Sequence, residues 1–223
     1  MALVSARART IKAMSLATFA PKDKEQRQLA LIEAANTVFA ERGFEAATTR
    51  EIAERAGCAE GLIHRYFAGK RGLLLAILEH KGQHAADSYC ESVPEKDTVA
   101  EEIEAILLYE LDSKWEKRDF MRICVAEASI DPTVGVAVRD GIQVRQVDFI
   151  TERLRKHRDA RRIRPDVDID AIAYTINGIG FSAGFMNRVA FGRSRNETER
   201  IVRHAAAALA RGISTSDDQK ETQ

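Results

Sequence analysis

Apolar positions along this chain follow the spacing of helices nearly everywhere. They recur every three or four residues, whereas the apolar and polar alternation of half-buried strands is almost absent. The first such segment runs from about 24 to 42 and ends at Gly43, a residue typical of the position after a helix. Its predicted apolar stripe consists of Leu29, Ile32, Ala35, Val38 and Phe39, with Phe44 packing back onto it. The pattern predicts an all-α protein.

Two short helices joined by a tight turn are predicted next. Thr48 and Glu51 have the S/T-x-x-E spacing of a capping box, in which each side chain binds the other residue's backbone amide. This helix ends at Gly57, and a second one runs from about Glu60 to Tyr66. Small or apolar residues suit the crossing and the core-facing positions, namely Ile52, Ala53, Ala56, Cys58, Ile63 and Phe67. The spacing is that of a helix-turn-helix, whose outer face would lie in the major groove of DNA. An ordinary helical hairpin with a solvated polar face is the alternative.

The pattern predicts six further helices in the rest of the chain, and it divides the whole chain into four regions. The helices span about 70–91, 97–112, 115–130, 133–159, 167–190 and 196–212, and Asp131 with Pro132 marks one helix start. The uncharged run 171–186 is shorter than the roughly 20 residues that cross a bilayer, so we expect a buried helix there. The predicted regions are a flexible basic arm (1–21), the helix-turn-helix domain (22–70), a larger helical domain (71–213) and a disordered tail (214–223).

Composition and charge exclude several classes of protein. Lys plus Arg and Asp plus Glu both total 34, so the chain is not a strongly basic, histone-like binder. Its three cysteines are far apart, which argues against a disulfide framework or a zinc site and fits a reducing cytoplasm. The N-terminus lacks the apolar core of a secretory signal. No nucleophile and base pair, metal spacing or phosphate loop appears, so we predict no catalytic residue, metal or cofactor. His80 and His84 lie one helical turn apart, and we interpret them as part of a solvated face.

The helix-turn-helix lies within a longer run of familiar spacing. The run VFAERGFEAATTREIAERAGCAEGLIHRYFAGKRGLL resembles the N-terminal DNA-binding domain of the TetR family of bacterial transcriptional regulators, over about 24–78. The resemblance implies a cytoplasmic, homodimeric, ligand-responsive repressor of a palindromic operator in double-stranded DNA. A chromosome-organising DNA binder on the same fold, without an effector, is the alternative.

DNA contacts follow from the resemblance and from the outer face of the second helix. They are Thr48, Thr49, Arg50, Glu60, Gly61, Leu62, His64, Arg65, Tyr66 and Lys70. Thr48, Thr49, Tyr66 and Lys70 would bind phosphate, and Gly61 would let the backbone approach the bases. The sequence departs from the family pattern at Ala59 and Gly69, where two helices lose a preferred cap, and at His64, where the family usually has tyrosine.

The predicted C-terminal domain needs a dimer surface and a ligand pocket. Glycines cluster in the helix at 167–190 and alanines in the last helix, which suggests close helix packing, within one chain or between two. In the family these helices form the dimer bundle, so the predicted interface is Gly180, Ala183, Gly184, Ile201, Ala205, Ala208 and Leu209. Aromatic and polarisable residues suggest the pocket: Tyr109, Trp115, Phe120, Cys124, Phe149, Tyr174, Asn177 and Phe181. Such a lining favours a hydrophobic or amphipathic ligand.

Overall fold

The protein is helical throughout the part that the structure describes. The computed structural model describes residues 23–216 and 218, without the side chains of residues 83–90. Within that part there is no strand, and backbone pairing outside helices and turns is limited to an isolated bridge between Ile163 and Ser214. The all-α prediction is confirmed. The predicted arm, 1–21, lies outside the described residues.

The described residues form ten α-helices and two π-helical segments. In chain order they are α1 (Lys24–Arg42), α2 (Thr49–Ala56), α3 (Gly61–Phe67), α4 (Lys70–Ser92), α5 (Val99–Glu116), α6 (Arg118–Ile130), α7 (Pro132–Val138), π1 (Arg139–Gln143), α8 (Val144–Asp159), α9 (Ile169–Phe181), π2 (Ser182–Ala190) and α10 (Arg195–Ile213). The chain divides into two compact units, one ending at Ile77 and the other beginning at Leu78.

Helix α1 forms the base of the N-terminal unit, and its buried stripe differs from the predicted one. Leu31 and Ala34 are buried with Ala35, Val38 and Phe39. The prediction that Leu29 belongs to the buried stripe is wrong, because Leu29 is 41% exposed. The turn after the helix is as expected: Gly43 has a φ of 79°, and the rings of Phe39 and Phe44 meet edge to face with centroids 5.2 Å apart.

Helix α5 lies at the centre of the C-terminal unit, where it packs against α8, α9 and α10. Its fully buried apolar residues are Val99, Ile103, Ile106, Leu107 and Leu111. Capping boxes begin α5 at Thr98 and α10 at Ser194, and Asp131 caps α7 ahead of Pro132 as predicted. The starts of α5 and α10 are therefore specified locally by the sequence.

A buried ionic cluster holds α8 against the start of α5. Glu102 Oε1 lies 2.6 Å from Arg153 Nη2, and Glu102 Oε2 lies 3.5 Å from His157 Nε2. The Lys96 amide also donates to Glu102 Oε2 at 2.9 Å. Burial raises the pKa of Glu102, but the bonds from His157, Arg153 and Lys96 outweigh that effect and hold the pKa below its usual value. The carboxylate therefore stays ionised although it is buried.

The uncharged run and the first residues of the predicted tail both have defined structure. The uncharged run at 171–186 extends from α9 into π2, and no described helix is long and apolar enough to cross a membrane. In the predicted tail, Ser214 and Asp218 are buried, and the Ser214 hydroxyl donates to Asp218 Oδ2 at 2.9 Å. The first residues after α10 thus make specific contacts.

Candidate nucleic-acid interface and ligand cavity

The turn between α2 and α3 has the geometry that the sequence predicts. Thr48 Oγ1 accepts from the Glu51 amide at 3.2 Å, and Glu51 Oε2 accepts from the Thr48 amide at 3.1 Å. The hydroxyl and amide of Thr48 hold the pKa of Glu51 below its usual value, so the cap is intact at neutral pH. Gly57 then turns the chain with a φ of 63°, in the left-handed region that favours glycine. The capping box and the glycine turn are confirmed.

Helix α3 buries one side and exposes the other. Ile63 is fully buried, whereas Gly61, His64 and Arg65 are exposed, and Leu62 and Tyr66 are half-buried. A Cβ added to Gly61 would meet no atom within 4 Å, so its missing side chain leaves an open patch of backbone. The polar face that we predicted is therefore accessible, and its contact with DNA stays a prediction.

Three of the predicted DNA contacts bind one another or a neighbour in this structure. The Thr49 hydroxyl donates to Glu60 Oε1 at 2.6 Å, which links the start of α2 to the residue before α3. Arg50 Nε donates to Glu54 Oε1 at 3.0 Å on the exposed side of α2. Sequence reasoning missed the Thr49 and Glu60 pair because the two residues belong to different helices. Phosphate binding by Thr49 would require the hydroxyl to leave this bond.

Lys70 has a structural role that the sequence did not reveal. Its Nζ donates to the carbonyl oxygens of Glu45 at 3.0 Å and Ala47 at 3.3 Å, and it lies 4.6 Å from the ring centroid of Phe44. An ammonium has three protons to donate, so one remains for a phosphate. Lys70 is therefore not a freely solvated charge, and phosphate binding stays a prediction.

The two departures at helix starts have different explanations. Before α3, Glu60 occupies the cap position and makes no side-chain capping bond, so the loss of a cap beside Ala59 is confirmed. Before α4, Gly69 has a φ of 104°, which favours glycine over any residue with a side chain. A Cβ added at Gly72 would lie 1.6 Å from the carbonyl oxygen of Phe67, so α4 can begin there only with glycine.

A cavity of about 400 Å³ lies in the C-terminal unit. It is lined by Lys114, Met121, Cys124, Val125, Ala128, Ser129, Val138, Ile142, Gln143, Gln146, Asn177, Gly178 and Phe181. Of the predicted pocket residues, Cys124, Asn177 and Phe181 line this cavity. The volume lies in the range of ~300–1,000 Å³ that is typical of small-molecule sites.

The other five predicted pocket residues do not line this cavity. Tyr109 and Phe149 pack against the main core, and Phe120 is buried in α6 outside the cavity lining. Trp115 lies between two guanidinium groups, 5.0 Å from that of Arg118 and 4.4 Å from that of Arg188. The side chain of Tyr174 is 52% exposed. Aromatic character alone does not determine which side of a helix faces a cavity.

One end of the cavity carries a connected set of polar side chains. Asn177 Nδ2 donates to Gln146 Oε1 at 3.1 Å, and Lys114 Nζ donates to the same oxygen at 3.4 Å. Lys114 Nζ also lies 2.6 Å from Glu110 Oε2, and both charged side chains are almost completely buried. Asn177 thus bonds within its own chain. Sequence reasoning found Asn177 but missed Lys114 and Gln146.

Three residues of the predicted dimer interface are buried inside the chain instead. A Cβ at Gly180 would lie 2.8 Å from Glu110 Cβ, and one at Gly184 would lie 2.9 Å from Lys114 Cβ. Ala183 belongs to the core cluster. The small residues of α9 and π2 therefore allow close approach to α5, and placing Gly180, Ala183 and Gly184 in a dimer interface is wrong. The intrachain alternative explains them.

The rest of the predicted interface is accessible. The side chain of Ile201 is 39% exposed, Ala208 is exposed, and Ala205 and Leu209 are half-buried along the same helix, α10. Their contact with a second copy stays a prediction.

Among the described residues no three His, Cys, Asp or Glu side chains form a group that would hold a metal ion. The side chain of His84 lies outside the described residues.

Comparisons with known proteins agree with this geometry. The family described as "Bacterial regulatory proteins, tetR family" matches residues 31–77. The HTH-type transcriptional repressor AcnR of Corynebacterium diphtheriae is 26% identical over 178 residues, which cover 79% of this chain and 87% of the relative.

Solved structures match along most of the chain. A protein from Mesorhizobium loti, described as a TetR-family transcriptional regulator, has a TM-score of 0.74 at 18% identity and covers 87% of this chain and 100% of its own. FadR from Bacillus subtilis, solved in complex with stearoyl-CoA, has a TM-score of 0.66 at 17% identity and covers 82% of this chain and 96% of its own. At these identities the two structures establish the fold alone. The family match over residues 31–77, together with the related repressor along most of its length, identifies the helix-turn-helix of this chain as the DNA-binding domain of the TetR family of bacterial transcriptional regulators.

Proposed function

We propose that the protein is a homodimeric repressor that binds a palindromic operator and leaves it when a small amphipathic molecule fills the cavity. The observation that carries the proposal is the exposed face of α3, which a capped α2 and a glycine turn hold in place. In a helix-turn-helix the second helix enters the major groove, and a dimer reads two half-sites about one helical turn apart. The repressor AcnR is a relative along most of the chain, which supports repression over activation.

Arg65 is the cation on α3 that is best exposed for DNA. Its guanidinium carbon lies 6.0 Å from the ring centroid of Tyr66, so it is positioned without being tied to a carboxylate. Gly61, at the start of the same helix, leaves room for the backbone to approach base edges. We therefore assign Arg65 to a phosphate or base contact and Gly61 to close approach.

Dimerisation is proposed through the accessible face of α10. Ala205 follows Ile201 by four residues, and Ala208 and Leu209 follow Ala205 by three and four, which places these residues on one side of a helix. Small side chains on such a face allow a second helix to pack closely. The glycines of α9 and π2 take no part in this surface.

Ligand release is proposed from the cavity in the C-terminal unit. An architectural DNA binder without an effector has no need of an apolar cavity of about 400 Å³, so the cavity favours the repressor over that alternative. FadR, which shares the fold, was solved with an acyl-CoA. A ligand that binds the DNA-free state more tightly shifts the protein away from the operator by mass action.

The test is selection of bound duplexes from a random pool, followed by affinity measurements over a range of salt. We expect an inverted repeat to be enriched, and we expect Arg65→Ala to lower the log–log salt slope by about 0.9 if Arg65 contacts one phosphate. Arg193→Ala, which removes the same charge from an exposed site in the C-terminal unit, is the control and should leave the slope unchanged. Failure to enrich any inverted repeat would contradict the specific repressor.

A further inference from the structure

We propose that the cavity selects an uncharged amphipathic molecule with a carbonyl or amide head group, and that it discriminates against fatty carboxylates. This inference rests on the proposed function, because it names the ligand class of the same cavity. Three features support it: the charge balance at the polar end, the direction of the amide groups there, and the apolar character of the other walls.

The polar end of the cavity carries no net charge. Lys114 is the one Lys, Arg, Asp or Glu among the described residues that line it, and its ammonium lies 2.6 Å from the Glu110 carboxylate. Burial raises the pKa of the Cys124 thiol, so this side chain is neutral too. A ligand carboxylate would add an unpaired negative charge beside Glu110. Burying a charge without a partner is costly, so the site favours a neutral head group.

The amide groups at this end have a defined direction. An ammonium can only donate, so the Gln146 oxygen must face Lys114, and Asn177 must turn its NH₂ group towards the same oxygen. The hydrogen bonds thus define the orientation of both amides. The NH₂ group of Gln146 and the Oδ1 atom of Asn177 remain for a ligand. This pair offers a donor group and an acceptor atom, and a primary amide can bind both, with its carbonyl oxygen accepting from Gln146 and its NH₂ group donating to Asn177 Oδ1.

The other walls set the size and character of the tail. Met121, Val125, Val138, Ile142 and Phe181 contribute apolar surface to the cavity lining. One water occupies roughly 30 Å³ of liquid, so a cavity of about 400 Å³ has room for about a dozen heavy atoms. A medium-length aliphatic or small aromatic tail fits this space.

The experiment compares two ligands that differ in the head group alone. Octanamide and octanoate have the same chain, and both are titrated into the full-length protein without DNA, by calorimetry, at a pH where octanoate is ionised. We expect octanamide to bind at least about tenfold more tightly, a difference of about 1.4 kcal/mol. Equal or tighter binding of octanoate, or no binding of either ligand, would overturn the inference.

Two variants test the residues that carry the argument. Asn177→Leu should weaken octanamide binding at least about tenfold, whereas Asn196→Leu, on the exposed first turn of α10, should leave it unchanged. Glu110→Gln leaves the Lys114 charge uncompensated, so the preference should shift towards octanoate. Circular dichroism checks that each variant is folded. If Glu110→Gln is folded and keeps the preference of the wild type for octanamide, charge balance does not set selectivity.

Operator release is measured separately with the duplexes selected above. Octanamide binding without release supports the ligand class and contradicts ligand control of the repressor. Sequence-specific DNA binding with no binding of either amphiphile contradicts the ligand class and leaves the DNA-binding proposal standing.

Discussion

Gly180 provides the sharpest test of how the C-terminal unit packs. Alanine at this position would place its Cβ 2.8 Å from Glu110 Cβ and 2.9 Å from Glu110 Cγ. Carbon atoms in contact are normally about 3.5–4.0 Å apart, so α9 and α5 would have to separate by roughly 0.7 Å. The matched control is Gly178→Ala in the same helix, because a Cβ there meets no atom within 4 Å.

The magnitude follows from two opposing effects. Replacing glycine by alanine in a helix interior stabilises by about 0.5–1 kcal/mol, and this gain is common to both variants. Overpacking a close contact costs about 1–3 kcal/mol and applies to Gly180→Ala alone. We therefore expect Gly178→Ala to be slightly more stable than the wild type, and Gly180→Ala to be less stable than Gly178→Ala by about 1–3 kcal/mol.

Urea unfolding measures this difference, at a low protein concentration and at one about a hundredfold higher. With a urea m-value of about 2–3 kcal/mol per molar, the midpoints of the two variants should differ by about 0.3–1.5 M. An intrachain contact makes that difference independent of protein concentration, whereas a contact between subunits makes it smaller at low concentration, where both variants dissociate and the contact is not made. The reasoning is refuted if Gly180→Ala is as stable as Gly178→Ala at both concentrations.

Three further predictions concern other parts of the chain. Gly61→Ala should leave the protein as stable as the wild type or slightly more so, yet weaken operator binding, because its Cβ meets open space in the protein and DNA in the complex; unchanged affinity would argue against close backbone approach. Gly72→Ala should destabilise the N-terminal unit by about 3 kcal/mol or more and abolish DNA binding, because its Cβ would lie 1.6 Å from a backbone oxygen, whereas Gly212→Ala in open space should do neither. Glu102→Gln should cost about 3–5 kcal/mol at neutral pH by breaking a buried ion pair. Because the folded pKa of Glu102 is depressed, its contribution to stability is present above the unfolded pKa and is lost as the pH falls through the folded pKa. The variant should therefore lose less stability than the wild type between neutral and acidic pH, and parallel urea-unfolding curves of stability against pH would contradict this.

The helix-turn-helix could be predicted from the sequence because its determinants are local. Thr48 and Glu51 are three residues apart, and Gly57 needs no partner to favour a left-handed turn. The links between elements were not predictable in the same way. Thr49 and Glu60 are 11 residues apart, and Lys70 reaches carbonyl oxygens 23 and 25 residues earlier. Each of these side chains has an equally reasonable role on DNA when only the sequence is known.

The glycines of α9 and π2 were interpreted correctly as a site of close approach but were assigned to the wrong partner. A small residue on a helix indicates that another helix packs closely against it. The same spacing fits a neighbouring helix of the same chain or a helix of a second copy. At Gly180 and Gly184 the space is filled by the first carbons of Glu110 and Lys114. The partner of a small residue is a property of tertiary packing, so sequence periodicity alone does not determine it.

The proposed ligand site depends on tertiary packing even more strongly than the proposed dimer surface does. Gln146 lies 32 residues from Lys114 and 31 from Asn177, and each of the three lies on a different helix. Only when α5, α8 and α9 pack together do the ammonium, the two amides and the Glu110 carboxylate form a neutral, directional group. A change of operator can therefore arise from a few residues within one short segment. In the proposed site a change of ligand charge acts through the buried pair of Glu110 and Lys114, and it costs stability because either charge left alone in the interior lacks a partner.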